Sequence, residues 1–130
     1  MTFSCFVRGT PAPKGSKSAF VHKGRAIVTE GRSSKQWESD VRRLLQDRYE
    51  GAPMEGAVTV ALTFSLLKPK SVAKSRRYPT VKPDIDKLAR AVLDALTGIV
   101  IRDDAQVVRL AASKQYGEEA GVLVVVEGRV

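Results

Sequence analysis

Five aspartates occur between positions 84 and 104 of this chain, and no glutamate stands among them; they are Asp84, Asp86, Asp94, Asp103 and Asp104. Carboxylates that converge repel one another unless a cation neutralises them. Hard oxygen ligands of this type select Mg²⁺ or Mn²⁺. A divalent ion held in this way activates water and stabilises charge on a phosphate. The cluster therefore predicts metal-dependent hydrolysis of phosphodiester bonds.

Ordinary structural roles explain part of the same pattern. Asp84 follows Pro83 and stands where a helix N-cap is expected, and Asp86 lies in the first turn, where the helix dipole favours a carboxylate. Asp86, Arg90 and Asp94 are spaced four residues apart. They are therefore also explained as a ladder of ion pairs on a helix surface.

Two adjacent acids after a β-branched run are harder to explain, because strands are depleted in Asp. In one interpretation Asp103 and Asp104 simply form a turn. In the other, the chain after Gly98 runs back beside the helix and brings them to Asp84 and Asp86. The second interpretation predicts that Asp84, Asp86, Asp103 and Asp104 hold the metal ion.

Positive charge is concentrated immediately before the acids. The chain carries 22 Lys and Arg against 14 Asp and Glu, a net charge of +8. Residues 68–82 contain six basic residues, no acid and two prolines. We predict a mobile basic loop that contacts DNA phosphates, the alternative being a merely solvated loop. With the Pro- and Gly-rich segment 10–18, the predicted contacts are Lys14, Lys17, Lys70, Lys74, Arg76, Arg77 and Lys82.

Hydrophobic periodicity predicts the elements that position these residues. We expect strands at 3–9, 57–67, 105–116 and 121–128, a hairpin at 19–29, and a short extended segment at 99–102. A first helix, capped by Ser33 or Ser34, has an apolar stripe formed by Trp37, Val41, Leu44, Leu45 and Tyr49. A second helix from Asp84 to Gly98 has the stripe Ile85, Leu88, Ala89, Val92 and Leu96. The order predicts one α+β domain over 1–130, with the two helices on one face of a small mixed sheet.

Composition excludes several other classes. The only cysteine, Cys5, makes an intrachain disulfide impossible, and a reducing cytoplasm fits this composition. The only histidine, His22, argues against a zinc site. Neither a signal peptide nor a membrane span is indicated. An Asp-x-Asp motif alone also occurs in haloacid-dehalogenase phosphatases and glycosyltransferases, but those sites require larger folds.

The stretch KPDIDKLARAVLDALTGIVIRDDAQV (82–107) resembles the signature of the RusA-type Holliday-junction resolvases. That signature combines a K-P-D-x-D start, an L-D-A-L-x-G helix end and a D-D-x-Q-V close. The close match covers about a fifth of the chain. The resemblance implies a RusA-like homodimeric endonuclease, dependent on Mg²⁺, that nicks four-way DNA junctions symmetrically. It also implies a phage or prophage source.

The resemblance also implies roles for individual residues. It places the catalytic acids of the family at Asp84, Asp86 and Asp104, with Asp103 as their neighbour. The family's catalytic lysine is replaced by Arg90, which keeps the positive charge but cannot donate a proton. The family's asparagine after the D-x-D is Lys87, which adds a phosphate contact.

A two-fold symmetric junction requires two matched cuts, and this chain has one acidic cluster, so a two-fold dimer would supply the second. Two alternatives remain open. One is a non-catalytic basic DNA-binding module, and the other is a different Mg²⁺-dependent phosphohydrolase.

Overall fold

The computed structural model describes residues 1–14, 17–22, 25–30 and 32–129, with side chains described over 1–14 and 34–129. In chain order the strands and helices are β1 (Thr2–Arg8), β2 (Lys17–His22), β3 (Arg25–Glu30), α1 (Arg32–Arg48), β4 (Val58–Leu66), α2 (Ile85–Leu96), a 3₁₀ turn (Asp104–Gln106), β5 (Val107–Tyr116) and β6 (Gly121–Gly128).

Four strands form one mixed sheet in the order β1-β6-β4-β5. β4 pairs with β5 in parallel, whereas β6 pairs antiparallel with both β1 and β4. The parallel pair requires a crossover, and α2 provides it. β2 and β3 form a separate antiparallel hairpin, as predicted. The predicted α+β architecture with a mixed sheet is confirmed.

The core lies between the helices and one face of this sheet. Alternate residues of β4, from Val58 to Phe64, are fully buried, while the residues between them face the other side. The same alternation in β6 leaves Leu123 exposed. The helices contribute the predicted stripes, with Leu44 and Ile85 only partly buried. Cys5 is buried as well, and its burial raises the pKa of the thiol.

The predicted start of the first helix is wrong by two to three residues, because a cap at Ser33 or Ser34 would place the first helical residue at 34 or 35. α1 begins at Arg32, so Ser34 lies inside it. The buried Ser34 hydroxyl instead donates a hydrogen bond to the Pro13 carbonyl at 2.8 Å. The other predicted cap, Ser33, has a side chain outside the described residues.

The predicted extended segment at 99–102 is also wrong. Gly98 follows α2 with a φ of 90°, as a residue at the C′ position does. The Leu96 carbonyl then accepts bonds from the N–H groups of Ile99 and Val100, which closes a tight turn. Only Ile101 makes β-bridges, to Met54 and Thr97. Helix-end bonding therefore takes precedence over the strand propensity of these residues.

The basic segment 68–82 consists of turns and bends without helix or strand. The Lys68 ammonium donates to the Lys74 and Arg76 carbonyls at 3.0 and 2.6 Å. The mobility of this segment stays a prediction. Within the described residues, neither helix has the combination of length and apolar character that crossing a bilayer requires.

Candidate active site

Asp84 occupies the N-cap position of α2, but its side chain does not cap the helix. Its backbone is extended, with φ −71° and ψ 140°, and its carboxylate makes no capping hydrogen bond. The carboxylate lies 3.8 Å from the Lys87 ammonium and is half exposed. The capping explanation for this side chain is therefore wrong, and its oxygens face solvent.

Asp86 and Arg90 follow on the exposed surface of α2. Across the described part of the chain, neither side chain has a hydrogen-bond or ion-pair partner. Asp94, the third residue of the predicted ladder, lies 3.7 Å from the Lys14 ammonium instead. The interpretation of these three residues as ion pairs with one another is therefore wrong. Asp86 and Arg90 have no visible structural task.

A shallow cleft of about 260 Å³ opens at the start of α2 and is lined by Pro13, Lys82, Pro83, Asp84 and Lys87. The segment that leads into it is held by Lys114 of β5. Its ammonium donates to the Val81 carbonyl at 2.7 Å and to the Pro83 carbonyl at 2.9 Å. Lys114 thereby fixes the backbone immediately before Asp84. Sequence reasoning missed this residue, because nothing local distinguishes it from other lysines.

Asp103 has the structural role that the turn interpretation assigned to it. Its carboxylate accepts the Ala105 N–H at 3.0 Å, while Gln106 accepts the Arg102 and Asp103 N–H groups. This is a reciprocal capping box. The Gln106 amide also donates to the carbonyls of Met54 and Gly56, which anchors the turn to the β4 side of the fold. The backbone bond and a side-chain bond to Asp104 lower the pKa of Asp103.

Asp104 is in a different electrostatic position. The hydrogen bond that it shares with Asp103 is the main cause of its raised pKa. Slight burial and the negative charges of Asp103 and Asp94 raise the pKa further. Three carboxylates therefore influence one another beside the C-terminal end of α2.

The carboxylates predicted to converge are not brought together by the fold. Asp84 and Asp86 lie at the N-terminal end of α2, whereas Asp103 and Asp104 lie near Asp94 at its other end. Among the described residues, no three His, Cys, Asp or Glu side chains are arranged so that they could hold a metal ion. The expected return of the chain to Asp84 is therefore wrong for Asp103 and Asp104.

Chain geometry explains this outcome. A helix of 12 residues is about 18 Å long, and an extended chain needs roughly five residues to retrace that length. The residues after α2 turn at its end, and the strand then begins at Val107. It is Lys114, not Asp104, that arrives beside the start of α2.

The predicted metal ligands have the oxygen donors that a hard divalent cation prefers, but the fold does not bring them close together. All four predicted ligands offer carboxylate oxygens, and all four are exposed. The hydrogen bond with Asp103 is the main cause of the raised pKa of Asp104, and the negative charges of Asp103 and Asp94 add to it. A single described chain nevertheless presents no complete three-ligand site.

The predicted DNA contacts differ in exposure. Six of them have exposed side chains: Lys70, Lys74, Arg76, Arg77, Lys82 and Lys87. Lys17 lies in β2, but its side chain falls outside the described residues. Lys14 is different, because its ammonium packs against the carboxylates of Glu38 and Asp94.

Arg42 of α1 is a further residue that sequence reasoning missed. Its guanidinium donates to the carbonyls of Asp94, Ala95 and Thr97, at distances from 3.1 to 3.4 Å. These carbonyls belong to the last turn of α2, where the helix dipole is negative. Arg42 therefore joins α1 to the end of α2 that carries Asp94.

We expect Arg42→Ala to lower the free energy of unfolding by roughly 1–3 kcal/mol, because it leaves partly buried carbonyls without their charged donor. Arg42→Lys should lose less, since a lysine keeps the charge but not the forked geometry. Urea unfolding of both variants measures the effect. Equal stability of the alanine variant and the unmodified chain would show that water replaces the guanidinium without cost.

Comparison with known proteins places this geometry in a family. A family model described as endodeoxyribonuclease RusA matches residues 9–127. The chain belongs to the RusA endodeoxyribonuclease family. The match includes both ends of α2, the basic segment and the Asp103–Asp104 turn, so it covers every part of the candidate site.

One relative is similar to this chain over most of the length of both proteins. It is an uncharacterized protein, YqaN of Bacillus subtilis strain 168, with 29% identity over 130 residues. The aligned region covers 92% of each chain. Members of the RusA family are endodeoxyribonucleases that act on branched DNA, and they generally depend on divalent metal ions.

Proposed function

We propose that this chain is a Mg²⁺-dependent resolvase that cuts four-way DNA junctions by paired symmetric nicks, as a homodimer. The observation that carries the proposal is the RusA family match over residues 9–127. In the structure the carboxylates of Asp84 and Asp86 are exposed, and the Asp84 side chain does not cap α2. A basic segment leads directly into that pair, so phosphate-binding charge and acidic groups adjoin.

Within this proposal, Asp84, Asp86 and Asp104 are the catalytic acids, and Asp103 is their neighbour. Mg²⁺, or Mn²⁺ in its place, would supply activation of water and stabilisation of charge on the phosphate. Among the described residues of one chain, these acids do not form a complete three-ligand site. Asp103 orders the turn that presents Asp104, whichever groups bind the ion.

The chain's cations have separate tasks. Arg90 is exposed one turn after Asp86 and is available to form a forked contact with a phosphate near the D-x-D pair. Lys87 and Lys82 line the cleft at Asp84 and are suited to adjacent phosphates. The exposed loop residues Lys70, Lys74, Arg76 and Arg77 would hold the DNA arms by charge alone.

A dimer completes the proposal on symmetry grounds. A four-way junction has two strands to cut at equivalent positions, and a chain with one D-x-D pair makes one cut. A two-fold homodimer presents two equivalent sites to the two strands.

The test is cleavage of a synthetic four-way junction by the purified protein, with Mg²⁺, with Mn²⁺ and with EDTA. A linear duplex of the same sequence is the matched control. We expect symmetric nicks on opposite strands of the junction, their loss in EDTA, and little cutting of the duplex. Junction binding without cleavage under any metal condition would identify a non-catalytic binding module. Preferential hydrolysis of mononucleotides would identify a different phosphohydrolase.

A further inference from the structure

Lys14 lies on a segment that is fixed to both helices. The hydroxyl of Ser34, on α1, bonds to the carbonyl of Pro13 at 2.8 Å. The Lys14 N–H bonds to the carbonyl of Lys87, on α2, at 3.0 Å. Ala12 is buried beside them. The backbone of Lys14 is therefore held in place before its side chain makes any contact.

The Lys14 side chain reaches into the groove between the two helices. Its ammonium lies 3.4 and 3.3 Å from the two carboxylate oxygens of Glu38, on α1, and 3.7 Å from the carboxylate of Asp94, on α2. The side chain is 29% exposed, and the carboxylate side chains are 24% and 37% exposed. One cation thus bridges acids from two helices in a partly desolvated place, where charges interact more strongly than at the surface.

These contacts bear on the acids at the end of α2. Asp94 acts electrostatically on Asp104, which in turn shares a hydrogen bond with Asp103. Lys14 compensates the charge of Asp94 and holds its carboxylate toward α1. Without Lys14, the carboxylates of Glu38 and Asp94 would lose the cation that joins them across the two helices.

A phosphate contact by the same ammonium would compete with this arrangement. To bind DNA, Lys14 would leave two partly buried carboxylates unpaired, which is costly. The exposed lysines of segment 68–82 face no such penalty. The contacts favour an internal task for Lys14 over the DNA contact that its position in a Gly- and Pro-rich segment suggested.

We propose that Lys14 is a positioning residue, which holds the carboxylates of Glu38 and Asp94 together between α1 and α2, on the helix that carries the D-x-D pair, and that it does not contact DNA. This inference rests on the proposed nuclease function for its effect on cleavage. Its structural part, the coupling of Lys14 to Asp94, is measurable without any activity.

The experiment compares Lys14→Met, Lys14→Arg, Asp94→Asn and the double variant Lys14→Met/Asp94→Asn. Three quantities are measured: junction Kd at several salt concentrations, the single-turnover cleavage rate at saturating protein, and urea unfolding. Lys35→Met, at an exposed position of α1, is the neutral control. Arg76→Gln/Arg77→Gln, in the exposed loop, serves as the reference for lost phosphate contacts.

We expect Lys14→Met to slow saturated cleavage by about tenfold to a hundredfold, as small displacements in a site do. Its junction Kd should stay within about twofold and its salt slope unchanged, whereas the loop variant should lose about one unit of slope per contact. Lys14→Arg should retain the rate within a few-fold. The added Asp94→Asn should recover part of the rate lost in Lys14→Met, because it removes the uncompensated charge.

Three outcomes would overturn the inference. One is a salt slope that falls by about one unit in Lys14→Met, which would make Lys14 a phosphate contact. Another is a lower rate in Lys14→Met that Asp94→Asn does not recover at all. The third is strict additivity of the effects of the two substitutions on the free energy of unfolding. We expect the unfolding equilibrium constant of the double variant to differ by at least about threefold from the additive value.

The unfolding data also show whether each variant is folded. If Lys14→Met is too unstable to assay, Glu38→Gln removes a partner of the same ammonium and should give a smaller loss of rate with unchanged Kd. Absence of cleavage by the unmodified protein would refute the proposed function, while the salt slope and the coupling would still decide whether Lys14 is internal.

Discussion

Asp86→Asn is expected to abolish junction cleavage while the fold and junction binding persist. Asp86 is exposed in the first turn of α2 and has no hydrogen-bond or ion-pair partner in the described part of the chain. Asparagine keeps the shape of the side chain and removes its charge, so packing is unaffected. Loss of a catalytic acid should lower the rate by about a hundredfold or more. Binding should hold or tighten, because one negative charge that faces DNA is removed.

Single-turnover cleavage, junction Kd and thermal melting measured together separate these effects. Asp47→Asn is the matched control, because Asp47 is a solvent-exposed aspartate on α1 whose ion-pair partner is its neighbour Arg48. The control should cleave at the unmodified rate. If Asp86→Asn also cleaves at that rate, Asp86 has no part in the reaction and the D-x-D assignment fails.

Arg90→Ala should reduce cleavage by roughly tenfold to a thousandfold, with almost no change in melting temperature. In the proposed mechanism Arg90 stabilises developing negative charge on the phosphate, so removal of its positive charge should slow the reaction. The unchanged stability follows from the structure, since Arg90 is exposed and lacks an ion-pair partner among the described residues. Arg90→Lys restores the residue that the family signature carries and should cleave at least as well as the unmodified chain.

The same single-turnover assay and melting curves test all three proteins. The control is Arg43→Ala, which removes an exposed arginine of α1 and so shows what loss of one surface charge does by itself. Equal rates for Arg90→Ala and Arg43→Ala would make Arg90 an ordinary surface residue and leave catalysis to the carboxylates.

Much of the fold is local information, and the sequence predicts it. The alternation in β4 and the spacing of apolar residues by three or four positions in α2 are properties of nearby residues, so the buried faces follow from them. Gly98 is recognisable as the end of α2 for the same reason. The capping box of Asp103 and Gln106 is also predictable from the sequence, because the spacing D-x-x-Q is a local signal.

The placement of the acids was not within reach of the same reasoning. Adjacency of Asp103 and Asp104 shows that they share a turn, but the end of α2 at which the turn lies depends on where β5 begins. Since β5 runs parallel to β4 and pairs from Val58 with Val107, the turn is fixed near the C-terminal end of α2. A strand register of this kind is set by the whole sheet.

The sequence by itself determined most of the helices and strands, the family and the chemical types of the site residues. Only the tertiary structure decided which cations serve the fold: Lys14 meets Glu38 across 24 positions, Lys114 meets Pro83 across 31, and Arg42 meets Asp94 across 52. A lysine or arginine has the same local propensity whether it binds DNA or a helix end. Its partner is chosen when the helices pack on the sheet, because burial then makes an unpaired charge costly.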